Sequence, residues 1–209
     1  MFLAFDDGAD LCELRLDRLQ DPVGLDVAAL VEGRPGAVVV TVRRPQDGGG
    51  WRGSEDDRRD LLLRACDAGA EWIDVESDIA DLLPPRGATK RVVSVHDFRD
   101  TPADLPGLLS ALARLPGDVV KVAVTPGSWS DVLRVLRAAS DFEGAAICLA
   151  MGSLGRVTRL LGGRYGAPWT YAALNDGPIT VPGQICLREM RGVMRCDRID
   201  SDTRLFAVI

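Results

Sequence analysis

Lysine is almost missing from this 209-residue chain. Of its 25 basic residues only Lys90 and Lys121 are lysines, and His96 is its single histidine. One histidine and five scattered cysteines (Cys12, Cys66, Cys148, Cys186 and Cys196), with no Cys-x-x-Cys pair among them, offer neither a zinc constellation nor an even disulfide framework. They read as reduced thiols. No apolar run approaches the length of about 18 residues that a membrane span needs. No basic-then-apolar leader is present, so a signal peptide is not expected. No Gly-x-Gly-x-x-Gly follows a strand-like run, which removes the fingerprint of a dinucleotide fold. A net charge of −6 argues against a nucleic-acid surface. These absences lead to the expectation of a cytoplasmic protein with no cofactor, no metal, no nucleic-acid partner and no membrane contact.

What is present is regular. An apolar share of 46% is ordinary for a globular protein, and 209 residues can bury a sizeable core. Short β-branched runs span residues 11–17, 37–43, 72–76, 91–97, 119–125, 145–151 and 169–174. Helix patterns lie between them at 102–115, 131–142, 154–161 and 182–195. A further helix follows Ser54, a good N-cap, with Glu55, Asp56 and Asp57 suited to the positive helix start, and stops at Gly69. Strand and helix alternating in this way predict a parallel α/β sheet, and without a dinucleotide fingerprint a βα-barrel is the better reading.

Residues two apart on a strand share a face. Glu13, Arg15 and Asp17 therefore fall together, as do Thr41 with Arg43, Asp74 with Glu76, Ser94 with His96, and Lys121 with Ala123. The polar residues gather toward the C-terminal halves of the runs, and that end of a βα-barrel carries the active site. The expectation is that five strands deliver Glu13, Arg15, Arg43, Glu76, His96 and Lys121 into one pocket; the competing reading is a set of solvated edge strands. Lys121 sits within the apolar run Val119–Val124. Burial disfavours an ammonium and leaves a free amine, the form that attacks a carbonyl. His96 closes the run from Val92 and is the natural proton carrier near neutral pH. Gly48-Gly49-Gly50 reads equally as a surface loop or a lid, and Trp51, Trp129 and Trp169 as core or rim.

In chain order, Glu13-Leu14-Arg15-Leu16-Asp17, Thr41-Val42-Arg43-Arg44, Ser94-Val95-His96-Asp97-Phe98, Lys121 through Pro126, Met151-Gly152 through Thr158-Arg159, and Pro182-Gly183-Gln184 resemble the segments of type I 3-dehydroquinate dehydratase. The resemblance covers about residues 5 to 195. It implies a cofactor-free (β/α)8 barrel that converts 3-dehydroquinate to 3-dehydroshikimate by syn loss of water, the third step of the shikimate route to aromatic amino acids. It implies Lys121 as the Schiff-base lysine and His96 as the general base and acid. Arg159 would clamp the substrate carboxylate. Glu13, Arg15 and Arg43 would serve the ring hydroxyls and the charge network. Thr180 and Gln184 would lie on the closing loop. Asp47 takes the place of a glutamate that orients the histidine, one methylene short. Arg43 near Lys121 would disfavour the ammonium form. The implied partner is the small substrate, with a homodimer left open.

The resemblance also predicts a barrel lacking the family's first strand and most of its first helix, over residues 1–197. Residues 198–209 would form a linker and a strand-like tail, resembling the opening strand of the shikimate dehydrogenase fused behind this dehydratase in bifunctional proteins. Residues 204–208 are expected to fill the empty first-strand slot. A class I aldolase, or a non-catalytic barrel serving a fused dehydrogenase, are the alternatives that the residues leave open.

Overall fold

The computed structural model describes residues 1–174 and 183–204. It divides into two compact units, one built from Met1–His96 with Ser110–Val120, the other from Asp97–Leu109 with the chain from Lys121 onward.

The first unit opens with α1 (Phe2–Asp6), β1 (Leu11–Arg15), α2 (Val27–Glu32) and β2 (Ala37–Thr41). It continues through α3 (Glu55–Asp67), β3 (Trp72–Glu76) and β4 (Lys90–Asp97). The strands are parallel and their register is regular: Glu13 lies opposite Val39, Arg15 opposite Thr41, Thr41 opposite Asp74, and Glu76 opposite Ser94. This register stacks polar side chains in layers. Arg15, Thr41 and Asp74 share one level. Arg43, two residues beyond Thr41, reaches the next level with Glu76 and Ser94. The alternate positions Val38, Val40, Ile73, Val75 and Val93 are buried on the other face.

Helix α3 forms as its sequence dictates. The Ser54 hydroxyl accepts from the Asp57 amide at 3.0 Å, three acidic residues occupy the first turn, and Leu61, Leu62, Ala65 and Cys66 face inward. It closes at Gly69, whose amide donates to the Cys66 carbonyl at 2.9 Å. Such a cap is worth about 1 kcal/mol, and each buried leucine about 1.5–3 kcal/mol.

Helix α4 (Leu105–Leu112) precedes β5 (Val119–Val124), and α5 (Trp129–Asp141), β6 (Ala146–Ala150) and α6 (Arg156–Leu160) follow. The sheet order is β1-β2-β3-β4-β5-β6. A reciprocal capping box of Ser128 and Asp131 starts α5, which buries Val132, Val135, Leu136 and Ala138. The Met151 amide donates to the Val124 carbonyl at 2.7 Å, joining the ends of β5 and β6.

Three expectations need correction. The run 169–174 is not a full strand: only Ala173 makes a bridge, to Cys186. The helix expected over 182–195 is a π-helical segment, Glu189–Val193. Helix α2 was not anticipated: at six residues it is too brief to show an apolar period. Helix α1 falls where the resemblance left the end of the family's first helix. The tail expected to fill a strand slot falls mostly on residues 205–209, outside the described residues, as does Thr180. No described helix is long and apolar enough to cross a membrane.

Candidate active site

In the first unit a buried charge cluster crosses three strands. The Arg43 guanidinium, 3% exposed, donates to Glu76 Oε1 and Ser94 Oγ, each at 2.9 Å, and meets Asp74 Oδ2 at 2.8 Å. Ser94 donates to Asp74 at 2.6 Å. Burial works against the Arg43 charge, but Asp74 and Glu76 outweigh it and hold the guanidinium above its ordinary value. Two carboxylates thus neutralise the Arg43 charge where it lies. Arg58 completes the cluster from α3. Its Nη1 donates to Glu76 Oε2 and to the Val42 carbonyl, and its Nε and Nη2 reach Glu55.

Glu13 and Arg15 do not pair with each other. Thr41 donates to Glu13 at 2.7 Å, and Arg15 grips Asp17 with two parallel bonds of 2.8 and 2.7 Å. Asp17 is buried, which favours its neutral acid, yet Arg15 and the Gly50 amide hold its carboxyl below the ordinary carboxylate value. The amide bond from Gly50, at 2.9 Å, ties the glycine loop to the end of β1. That loop is packed rather than open: a Cβ on Gly49 would lie 2.0 Å from the Arg43 carbonyl oxygen. Asp47 accepts from Arg44 at 2.7 Å, and Arg44 spans to Asp78 with two further bonds. His96 is half-buried at the end of β4, one pleat beyond Ser94, with Nδ1 shielded from solvent. Trp51 is buried, while Trp129 is exposed.

The second unit holds the other candidates. Lys121 on β5 is 5% exposed, and its Nζ lies 4.4 Å from the centre of the Tyr171 ring. Arg159 on α6 is also buried, at 4% exposure. Burial pulls its guanidinium below the ordinary value, and nearby Tyr171 offsets this in part. Among the described residues no carboxylate is paired with Arg159. Thr158, beside it, accepts from the Ala150 amide at 3.0 Å and donates to the Gly155 carbonyl, fixing α6 to the end of β6. Gly183, at φ +81°, approaches so closely that a Cβ there would sit 2.1 Å from the Gly152 carbonyl oxygen; Gln184 follows directly. Burial pushes the Cys148 thiol up to about 12, so it is an inert core residue rather than a nucleophile.

Reading the sequence missed Arg58, Tyr171 and the roles of Asp17 and Asp74. Arg58 carried a signal: it stands in step with Leu61, Leu62 and Ala65, on the apolar stripe of α3. Asp17 and Asp74 shared faces with Arg15 and Glu76. Tyr171 had only its rarity, as one of two tyrosines. Among the described residues no group of three or more His, Cys, Asp or Glu could hold a metal ion.

The chain matches the type I 3-dehydroquinase family over residues 4–201. It is 39% identical over 187 residues to the 3-dehydroquinate dehydratase of Methanothermobacter thermautotrophicus, covering 87% of this chain and 82% of that protein. It is 34% identical over 212 residues to the chloroplastic bifunctional 3-dehydroquinate dehydratase/shikimate dehydrogenase of Arabidopsis thaliana, covering 97% of this chain but 35% of that protein. The crystal structure of 3-dehydroquinate dehydratase from Geobacillus kaustophilus superposes with a TM-score of 0.81 at 28% identity, covering 97% of this chain and 85% of that one. On these matches the chain belongs to the type I 3-dehydroquinase family.

Proposed function

We propose that this chain dehydrates 3-dehydroquinate to 3-dehydroshikimate with Lys121 as the covalent nucleophile and His96 as the acid and base. The Lys121 amine adds to the C3 ketone, and the carbinolamine loses water to give an iminium. The iminium is a better electron sink than the ketone, so the C2 proton becomes acidic. His96 takes that proton, and the electron pair left on carbon forms an enamine. The enamine expels the β-hydroxyl, which leaves as water with the proton returned by His96. Water then hydrolyses the imine, releasing the enone and restoring the amine. A placed acid–base histidine contributes a factor of about 10²–10⁴.

Arg159 receives the substrate carboxylate as a bidentate partner. Arg15 and Arg43 serve the ring hydroxyls as fixed donors, since Asp17 on one side and Asp74 with Glu76 on the other hold their orientation. Glu13 is an acceptor in the same network. Asp47, anchored by Arg44, is the charge assigned to orient His96. Gln184 and Thr180 belong to the closing loop. We take β1 to β6 as six strands of the family's (β/α)8 barrel.

The observation that carries the reading is Lys121 itself. It is the lysine of an all-buried strand, its amine set against an aromatic face. The test is incubation with 3-dehydroquinate and borohydride, followed by mass measurement and by absorbance in the enone band. A reduced adduct on Lys121 is expected. Lys121→Ala should give no adduct and no turnover, whereas His96→Ala should give adduct with turnover lowered at least about a hundredfold. An active Lys121→Ala chain would sink the mechanism.

A further inference from the structure

From the 4.4 Å approach of Lys121 Nζ to the Tyr171 ring, we propose that Tyr171 is a catalytic residue whose aromatic face stabilises the cationic imine on Lys121. The proposal rests on the Lys121 reading above and adds a second participant to it.

The charge on one nitrogen changes through the reaction. Lys121 is positive as an ammonium, neutral as an amine and as a carbinolamine, and positive again as the iminium. An aromatic face carries negative potential and attracts a cation within about 6 Å of its centre. The ring therefore favours the first and last of these states over the middle two. Lys121 is 5% exposed, so water screens the attraction little. In the free chain the ring opposes deprotonation, against the burial that promotes it. Once the substrate has added, the same ring drives loss of water from the neutral carbinolamine and resists hydrolysis of the iminium. It holds the electron sink in place while the C2 proton leaves. Tyr171 also lies close enough to Arg159 to moderate the effect of burial on that guanidinium. One side chain thus serves the amine and the carboxylate clamp. Two residues on, the Ala173 amide donates to the Ile185 carbonyl and the Ala173 carbonyl accepts from Leu187, which fixes the segment that presents the ring.

A shape-filling role and an electrostatic role are separated by fluorination. Phenylalanine, 4-fluorophenylalanine, 3,5-difluorophenylalanine and pentafluorophenylalanine would be placed at position 171 of the full chain. Ring size changes little along this series, while the negative potential of the face falls and then reverses. At saturating 3-dehydroquinate, the borohydride-trapped fraction on Lys121 and kcat are expected to fall stepwise, by about threefold to thirtyfold over the series. Modification of Lys121 by an amine-directed reagent without substrate should move the opposite way, becoming faster at a given pH as the ammonium loses its partner. Tyr171→Phe should keep most of the wild-type trapping. A flat series, or loss of trapping already in Tyr171→Phe, overturns the role of the ring face. Absence of an adduct in the wild-type chain overturns the Lys121 reading instead.

Discussion

Replacing Arg58 by methionine tests whether the charge cluster beneath β2 and β3 is balanced as the structure implies. Arg58 is 0% exposed and reaches both Glu76 and the Val42 carbonyl, while Glu76 also takes Arg43. The four charged groups Arg43, Arg58, Asp74 and Glu76 sum to zero. Arg58→Met keeps the length of the side chain but leaves a net negative charge among buried groups. Removing one partner of a buried ion pair costs about 3–5 kcal/mol, because the other is left uncompensated. For a chain of this size each kcal/mol shifts Tm by roughly 2–4 °C, so the loss is roughly 6–20 °C. Urea unfolding of Arg58→Met, Glu76→Gln and the double variant measures it. The double variant restores neutrality, so its loss should be smaller than the two single losses added, by about 1 kcal/mol or more. Strict additivity, or a single variant within about 0.5 kcal/mol of wild type, would refute the balance.

Other consequences are as direct. The Asp17 carboxyl is held below its ordinary value in the folded chain. It therefore contributes stability above the ordinary carboxylate range and loses it as pH falls through the folded value. The stability gap between wild type and Asp17→Asn, followed by denaturant midpoint, should be widest near neutrality and close below about pH 4. Gly49→Ala should destabilise the chain by more than about 1 kcal/mol in the same assay, because its Cβ would collide with the Arg43 carbonyl. Ser54→Ala should cost about 1 kcal/mol through the lost N-cap, with turnover unchanged.

The fold was legible where the physics is local. Ser54, the acidic first turn and the stripe through Leu61 and Ala65 are enough to specify α3, and the β-branched runs locate β3 to within a residue at either end. Face-sharing along the strands correctly grouped Thr41 with Arg43, and Asp74 with Glu76. It could not say which carboxylate each arginine would choose. Arg15 selects Asp17 over Glu13 because neighbouring-strand contacts decide: Thr41 takes Glu13. Tyr171 escaped notice for the same reason. The run from Trp169 reads as a strand, yet only Ala173 within it makes a bridge. The Tyr171 ring lies against Lys121, 50 positions earlier, a distance that no local pattern encodes.

Two buried arginines differ in the company they keep among the described residues. Arg43 and Arg159 are both nearly inaccessible, yet Arg43 stands above its ordinary value and Arg159 below. The difference is company. Arg43 has Asp74, Glu76 and Ser94, so an arriving anion would gain little from it. Arg159 carries the desolvation cost of a buried guanidinium with no carboxylate among the described residues to offset it. If Arg159 is the carboxylate clamp proposed above, that cost is recovered when a ligand supplies the carboxylate, and the folded state should then be stabilised. A saturating carboxylate-bearing substrate analogue should raise Tm in wild type. Arg159→Met should bind it about ten- to 150-fold more weakly, the value of one charge-assisted pair, and lose most of that rise. In the ligand-free chain the same substitution should leave stability unchanged or improved, since it removes a buried charge that no carboxylate among the described residues balances. A large loss of ligand-free stability in Arg159→Met would mean that the arginine is part of the scaffold after all.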